Sequence, residues 1–305
     1  MQRFILTRIL QSVLTLLALS VVVFFGSNLT GDLALVLATP DATAAEIQQL
    51  RENLGLDDPP YIRYANYLVG VFQGDFGRSG IERRPVVDML AERIPATLQL
   101  ATAGLLVAVV LGIPLGIIAA IKRDSIIDRF AKVFAIIGMS APQFWIAIML
   151  IMFFGAYLRV LPTFGKGGVD HFILPAFTLA LFIMAGFMRL TRSSMLEVLD
   201  SEYVKFARIK GLSERLVIYK HALKNAVIPV LTFGGVSFAA LLNGSIVVEV
   251  VFAWPGMGRL MLDAIRERDT NVILATILTA GFLYILMATI VDVLYAYVDP
   301  RIKYE

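Results

Sequence analysis

Residues 94–121 read IPATLQLATAGLLVAVVLGIPLGIIAAI, with no charged side chain anywhere in the run. A helix crosses roughly 30 Å of hydrocarbon in about 20 apolar residues, so this stretch alone is long enough to span a bilayer. Five more charge-free runs lie at 9–29, 133–158, 171–188, 225–248 and 270–291. The run at 171–188 is the shortest, but Arg189 and Arg192 can extend their heads to the lipid phosphates while their stems stay in the apolar layer. One such run could be a soluble core helix; six in one chain predict an all-α polytopic membrane protein with six transmembrane helices.

Composition agrees: 58% of the 305 residues are hydrophobic and 17% are charged, against about 25% charged in soluble domains. The chain has no cysteine, which excludes disulfides and thiolate metal sites. Its net charge of +3 is too small to argue for nucleic acid. A cleaved signal peptide is an alternative for the first run, which follows Arg3 and Arg8. The run is longer than a signal sequence needs, and no clear A-x-A site follows it.

Basic residues orient the chain. With a cytoplasmic N-terminus, sixteen Lys and Arg fall in inner segments and five in the two short outer loops. The remaining six lie in 30–93, a segment too long to weigh in that rule. Both termini are therefore expected in the cytoplasm. The expected divisions are an N-terminal span (1–29), an extracytoplasmic helical insertion (30–93) and a five-span core (94–305).

The insertion reads as folded. Thr43 and Glu46 make a capping box, with Gly55 placed to end the helix that follows. A second helix starts at Pro59 or Pro60, and a third covers Val86 to Arg93 before the next span begins at Pro95. The insertion is either a cover over the span ends or a docking surface for a partner. Within 94–121, Gly112 and Gly116 flank Pro114 and would let another helix approach closely.

Little points to catalysis. His171 and His221 stand apart, without neighbours at metal-ligand spacing. Neither FGKGG (164–168) nor GDFGRSG (74–80) matches the phosphate-binding G-x-x-x-x-G-K-[ST]. No G-x-S-x-G is present. Glu249 and Asp292 are the acids nearest membrane depth, and each lies close to a span end, which weakens a proton-relay reading.

The segment between the fourth and fifth runs is different. In YVKFARIKGLS (203–213), Tyr203, Phe206 and Ala207 fall together on a helical wheel, with Val204 and Ile209 on the flanks and Lys205 and Arg208 opposite. Gly211 can end this helix in the left-handed conformation, and Ser213 can cap the next. An interfacial helix touching anionic lipid and a docking element for a soluble partner both fit. The aromatic anchors Tyr203 and Phe206 favour docking.

The whole arrangement resembles the ABC-importer permeases, specifically the first permease subunit of dipeptide, oligopeptide, glutathione and nickel systems. The resemblance rests on RFILTRILQSVLTLLALSVVVFF at the start, NLGLDDPPYIRYANYLVGVFQGDFGRS, IPATLQLA, GIPLGIIAA and LTRSSMLEVLDSEYV. It continues through EYVKFARIKGLSERLVIYKHALKNAVIP, GSIVVEVVFAWPGMGRL and the closing VDVLYAYVDPRIKY. The wider family's loop pattern, EAA, three residues, Gly, nine residues, I-x-L-P, matches literally only at Ala207, Gly211 and Leu223. Those departures are similar to the peptide branch.

The resemblance implies a type I permease fold in a bacterial inner membrane and a second, homologous permease. It further implies two ATP-binding subunits that carry the ATP and Mg²⁺, and an extracytoplasmic substrate-binding protein. It implies a coupling helix at about 202–212, with Glu202, Tyr203, Phe206, Ala207, Arg208 and Gly211 in the ATPase contact. Ser140, Gln143, Ser237 and Asn243 are candidates for the cargo path, and Trp254, Pro255 and Gly256 for an outer gate; Trp254 is also a candidate interface anchor. Peptide is the leading cargo, with glutathione or a nickel or other metal chelate behind it. An ion-gradient-driven transporter and a membrane scaffold are the alternatives of other classes. No cofactor, catalytic residue or metal is expected in this chain.

Overall fold

The structure is a computed structural model that describes residues 2–27, 43–53 and 56–298. Its helices are α1 (Gln2–Ser27), α2 (Ala44–Asn53), α3 (Pro60–Phe72), α4 (Val86–Ile121), α5 (Ile126–Ser140) and α6 (Gln143–Leu150). They continue with α7 (Asp170–Leu199), α8 (Glu202–Ile209), α9 (Glu214–Leu216), α10 (Leu223–Val251), α11 (Met257–Glu267) and α12 (Thr270–Val298). π-helical turns at Ile151–Tyr157 and Val217–Ala222 extend α6 and join α9 to α10. No strand occurs among the described residues.

Among the described residues, five helices are long and apolar enough to cross a membrane, and a bent pair taken as one span makes a sixth. The bent pair corrects the third run. Residues 133–158 do not form one straight span: α5 and the helix from Gln143 to Tyr157 meet at 107°. Pro142 has no N–H to continue the α5 ladder, and Ala141 before it is held extended at φ −77°, ψ 130°. A second expectation also changes. The helix from Val86 does not stop before Pro95 but runs through it to Ile121. Ala91 and Pro95 are both exposed, so the hydrogen bond lost at the proline falls on an open face.

At the start of α2, Thr43 N donates to Glu46 Oε2 at 2.7 Å and Glu46 N to Thr43 Oγ1 at 3.4 Å, the reciprocal pair expected there. That bond holds the Glu46 carboxyl below its ordinary pKa. Gly55 and residues 28–42 lie outside the described residues.

The chain packs as two units. One comprises Leu98–Trp254 with the chain from Leu286, and the other Gln2–Thr97 with Pro255–Ile285. In the first, α7 is the most buried helix, and α4 lies against it at two glycines. A Cβ at Gly112 would meet the Met184 carbonyl at 2.8 Å, and one at Gly116 the Met188 carbonyl at 2.7 Å. Only hydrogen fits at either position, as close helix packing in lipid requires. Asp128, fully buried on α5, accepts Arg192 Nε at 2.5 Å and Nη2 at 2.9 Å, and Lys132 Nζ at 3.0 Å. A buried carboxylate held by two cations ties α5 to α7.

In the second unit, Val86, Met89, Leu90, Met257, Leu260, Ala264, Val272 and Ala275 form a core. Asp269 caps α12, accepting Val272 N at 3.3 Å and Ser79 Oγ at 2.5 Å, which fastens GDFGRSG to the helix start.

Candidate functional site

The short helix α8 is built to hold one shape. Val204 and Ala207 turn inward onto Val217, with Val198, Leu199 and Leu212 packed around them. Burying a valine side chain from water contributes about 1.5–3 kcal/mol, enough to seat an eight-residue helix that could not stand alone.

The turn after α8 is closed twice. Gly211 N donates to Arg208 O at 2.9 Å and Leu212 N to Ala207 O at 3.3 Å, with Gly211 at φ +75°. This is the Schellman arrangement, complete with its apolar contact between Leu212 and Ala207. Arg208 reaches across the turn to Glu214, with Nε at 2.8 Å from Oε1 and Nη2 at 3.4 Å from Oε2. Asn225 Nδ2 on α10 donates to the Tyr203 hydroxyl at 2.8 Å. Lys205 pairs with Glu202 at 2.8 Å, which lifts the lysine above its ordinary pKa.

These contacts redraw the expected face. Ala207 is 7% exposed and packs inside the chain, so it cannot share a docking surface with Tyr203 and Phe206. The free apolar surface is instead Phe206 at 61% and Ile209 at 79%, edged by Tyr203. A wheel finds an amphipathic helix but not which apolar side its own chain takes; Val217, ten residues beyond Ala207, decides that. Arg208 is spent on Glu214, which makes it a clamp on the turn. Ser213 precedes α9 with no side-chain cap, contrary to its expected role.

From α8 the packing leads onward. Ile117 and Ala120 of α4, Met195 of α7, Ile218 and Ala222 of the π turn and Ala226 of α10 form one cluster. A displacement of α8 therefore meets three long helices through close-packed side chains.

The candidates for the cargo path are dispersed. Ser140 is exposed at the end of α5 and Gln143 half-buried at the start of α6, on either side of the bend. Ser237 is buried within the chain, so it lines no open passage in this structure. The side chain of Asn243 lies outside those described. Elsewhere on α10, Thr232 Oγ1 donates to Ile228 O at 3.2 Å and Ser245 Oγ to Glu249 Oε1 at 3.0 Å. A cavity of about 340 Å³ is lined by Met139, Phe182, Gly186, Arg189, Leu190, Ser193 and Phe233.

Trp254 is fully buried, its ring edge-on to Phe172 at 4.6 Å, and so it is no interface anchor. Gly256 is buried and Pro255 half-buried after it. His171 Nδ1 lies 3.1 Å from Gly165 O in a loop contact. No group of three or more metal-ligating side chains occurs among the described residues.

Comparison with known proteins now bears on this geometry. Residues 112–304 match the family described as binding-protein-dependent transport system inner membrane component, and residues 1–101 match the N-terminal part of the same membrane component. The chain belongs to this permease family. It is similar along its entire length to the glutathione transport system permease protein GsiC of Escherichia coli K12, with 44% identity over 306 residues and all of both chains covered. The same protein of Shigella dysenteriae serotype 1 matches equally.

Among solved structures, the inward-facing methionine ABC transporter MetNI gives a TM-score of 0.58 at 15% identity, covering 69% of this chain and 96% of that one. An amino acid ABC transporter gives 0.56 at 14%, covering 69% and 94%. At such identity these two establish the fold alone. This chain is thus a multi-pass permease subunit of an ABC importer, of the branch that handles peptides, glutathione and nickel. Its family is the membrane component, not the ATPase.

Proposed function

We propose that this permease forms the translocation path of a short-peptide importer together with a second, related permease. Two ATPase subunits that bind ATP and Mg²⁺ lie on the cytoplasmic side, and a substrate-binding protein lies on the other. Glutathione, a tripeptide, is the leading cargo within that class. The observation that carries this is the end-to-end relation to GsiC at 44% identity, with no part of either chain left over. The membrane is a bacterial inner membrane, with both termini in the cytoplasm and residues 30–93 outside.

Phe206 and Ile209 enter a pocket on the ATPase, and Tyr203 edges it. Glu202, Lys205 and Lys210 supply the polar rim that such interfaces carry. When the ATPase subunits close, α8 moves as a rigid piece, because Gly211, Arg208 and Glu214 fix its angle to α9. The cluster of Ile117, Met195 and Ile218 passes that movement to α4 and α7. Ser140 and Gln143 lie where a change in the bend between α5 and α6 would open or shut a passage. Direction follows from different affinities for cargo in the two states. Pro255 and Gly256 remain the outer-gate candidates.

The test is uptake by the complete transporter in proteoliposomes, with labelled glutathione and labelled dipeptides in competition. Strictly ATP-dependent uptake, with glutathione taken in preference, supports the proposal. Uptake driven by an ion gradient through this chain alone overturns it. Mass spectrometry of the ligand that co-purifies with the binding protein fixes the cargo independently.

A further inference from the structure

Helix α3 turns an apolar surface outward. Tyr61, Ile62, Ala65, Val69 at 55% and Phe72 at 82% share one exposed arc, whose one polar member within the helix is the uncharged Asn66. The only charged residue of the helix, Arg63, is half-buried off that arc. A helix whose outer face meets water carries polar residues there.

The opposite face is fastened to α1. The Tyr64 hydroxyl lies 2.7 Å from Ser20 Oγ, and the rings of Tyr64 and Tyr67 each sit 5.4 Å from that of Phe24. Ser20 falls inside the apolar span Leu6–Ser27, about 10 Å short of its end at 1.5 Å per residue. α3 therefore lies beside a membrane-crossing helix rather than beyond it. On that stretch of α1, Val21, Val22 and Phe25 are exposed as well. Polar residues stand at both ends of α3, Asp57 and Asp58 before it and Gln73 and Asp75 after it. Tyr61 on the exposed arc suits the water–lipid boundary, where an aromatic ring with a polar tip is at home.

We propose that α3 is an interfacial membrane helix. Its Tyr61, Ile62, Ala65, Val69 and Phe72 face enters the boundary of headgroups and acyl chains in the leaflet where α1 ends. That face continues the lipid-exposed surface of Val21, Val22 and Phe25, and the absence of charge on it matches lipid rather than a water-soluble partner. Its apolar side chains reach about 5–10 Å into the boundary. The helix braces α1 laterally, which a lone span packed along so little of its length otherwise lacks.

The chain has no cysteine, so a single cysteine introduced and spin-labelled in it, with partner subunits made cysteine-free, reads the site directly. Val69→Cys and Phe72→Cys are labelled in the assembled transporter in lipid nanodiscs, with Asp58→Cys as the water-facing control. The expected result is collision with oxygen exceeding collision with a water-soluble nickel chelate at 69 and 72, inverted at 58 and unchanged by the binding protein. Nickel access at 69 and 72 equal to that at 58 overturns the proposal. Protection from both reagents also overturns it, since the face would then be covered by the second permease or the binding protein. Tyr61→Cys on the same arc gives the same reading if either variant fails to assemble.

Discussion

Helices α8 and α3 both leave apolar side chains uncovered, and they differ in what surrounds them. Phe206 and Ile209 stand among Glu202, Lys205, Arg208 and Lys210, whereas Val69 and Phe72 have no charged neighbour on their arc. An uncovered apolar face says only that something covers it in the working protein. The charge around it is a guide: a rim of both signs suits a protein pocket, while an arc without charge suits the bilayer. Fastening differs too. α8 is held by a closed turn and an ion pair at a loop, and α3 by aromatic rings at membrane depth.

The largest effect is expected at Gly211. Its φ of +75° costs a non-glycine residue about 1–2 kcal/mol, and more when the side chain is β-branched. Gly211→Val should lower ATP-driven uptake by about a hundredfold while ATP hydrolysis persists and the protein still inserts. Unchanged uptake by correctly assembled transporters would count against α8 as the lever.

Next comes the double variant Phe206→Ala with Ile209→Ala, which should weaken ATPase binding by about 2 kcal/mol, roughly thirtyfold. Val69→Ala with Phe72→Ala should leave that affinity unchanged. Titrating the ATPase onto nanodisc-embedded permease compares the two pairs, and equal losses would erase the distinction between the helices.

Arg208→Ala should cost less, about 0.5 kcal/mol, because its pair with Glu214 is partly solvated. A double-mutant cycle with Glu214→Ala isolates that coupling, and a value near zero would leave the turn to its backbone bonds alone.

The smallest effect concerns pH. Glu202 holds Lys205 above its ordinary value, so the pair's contribution is complete below the unfolded lysine pKa and is lost only as pH rises through the raised one. ATPase binding should stay flat from about pH 6 to about pH 9 as far as this pair is concerned. A midpoint inside that window would assign the contact to another group.

Much of this was legible before any coordinates. Charge-free length reports membrane passage directly, because a charged side chain is costly in hydrocarbon, and over their described residues five of the six runs proved to be continuous helix and the third a bent pair. Gly211 was legible because the left-handed conformation singles out glycine. The break at Pro142 was missed for the opposite reason: a run scored by charge is blind to backbone angles. Pro95 misled in the other direction, since a proline on an exposed helix face removes one hydrogen bond without ending the helix. Ala207 and Trp254 were misplaced because burial depends on residues distant in sequence, Val217 for one and Phe172 for the other. Ile209 was read as a flank of the α8 face, where the apolar run at 203, 206 and 209 could have made it central, and the Asn225 bond to Tyr203 had no signal in the sequence.

The π turn at Val217–Ala222 has a consequence for the length of the chain. A turn of this kind holds one residue more than an α-helix would over the same rise. Side chains before and after it are therefore out of phase by about 100° with respect to an ideal helix. The cluster that seats α8 and the face by which α10 meets its neighbours are indexed on opposite sides of that phase shift. Removing one residue inside the turn should leave the two indices aligned, whereas removing one from α10 beyond it should turn one face away from its partners.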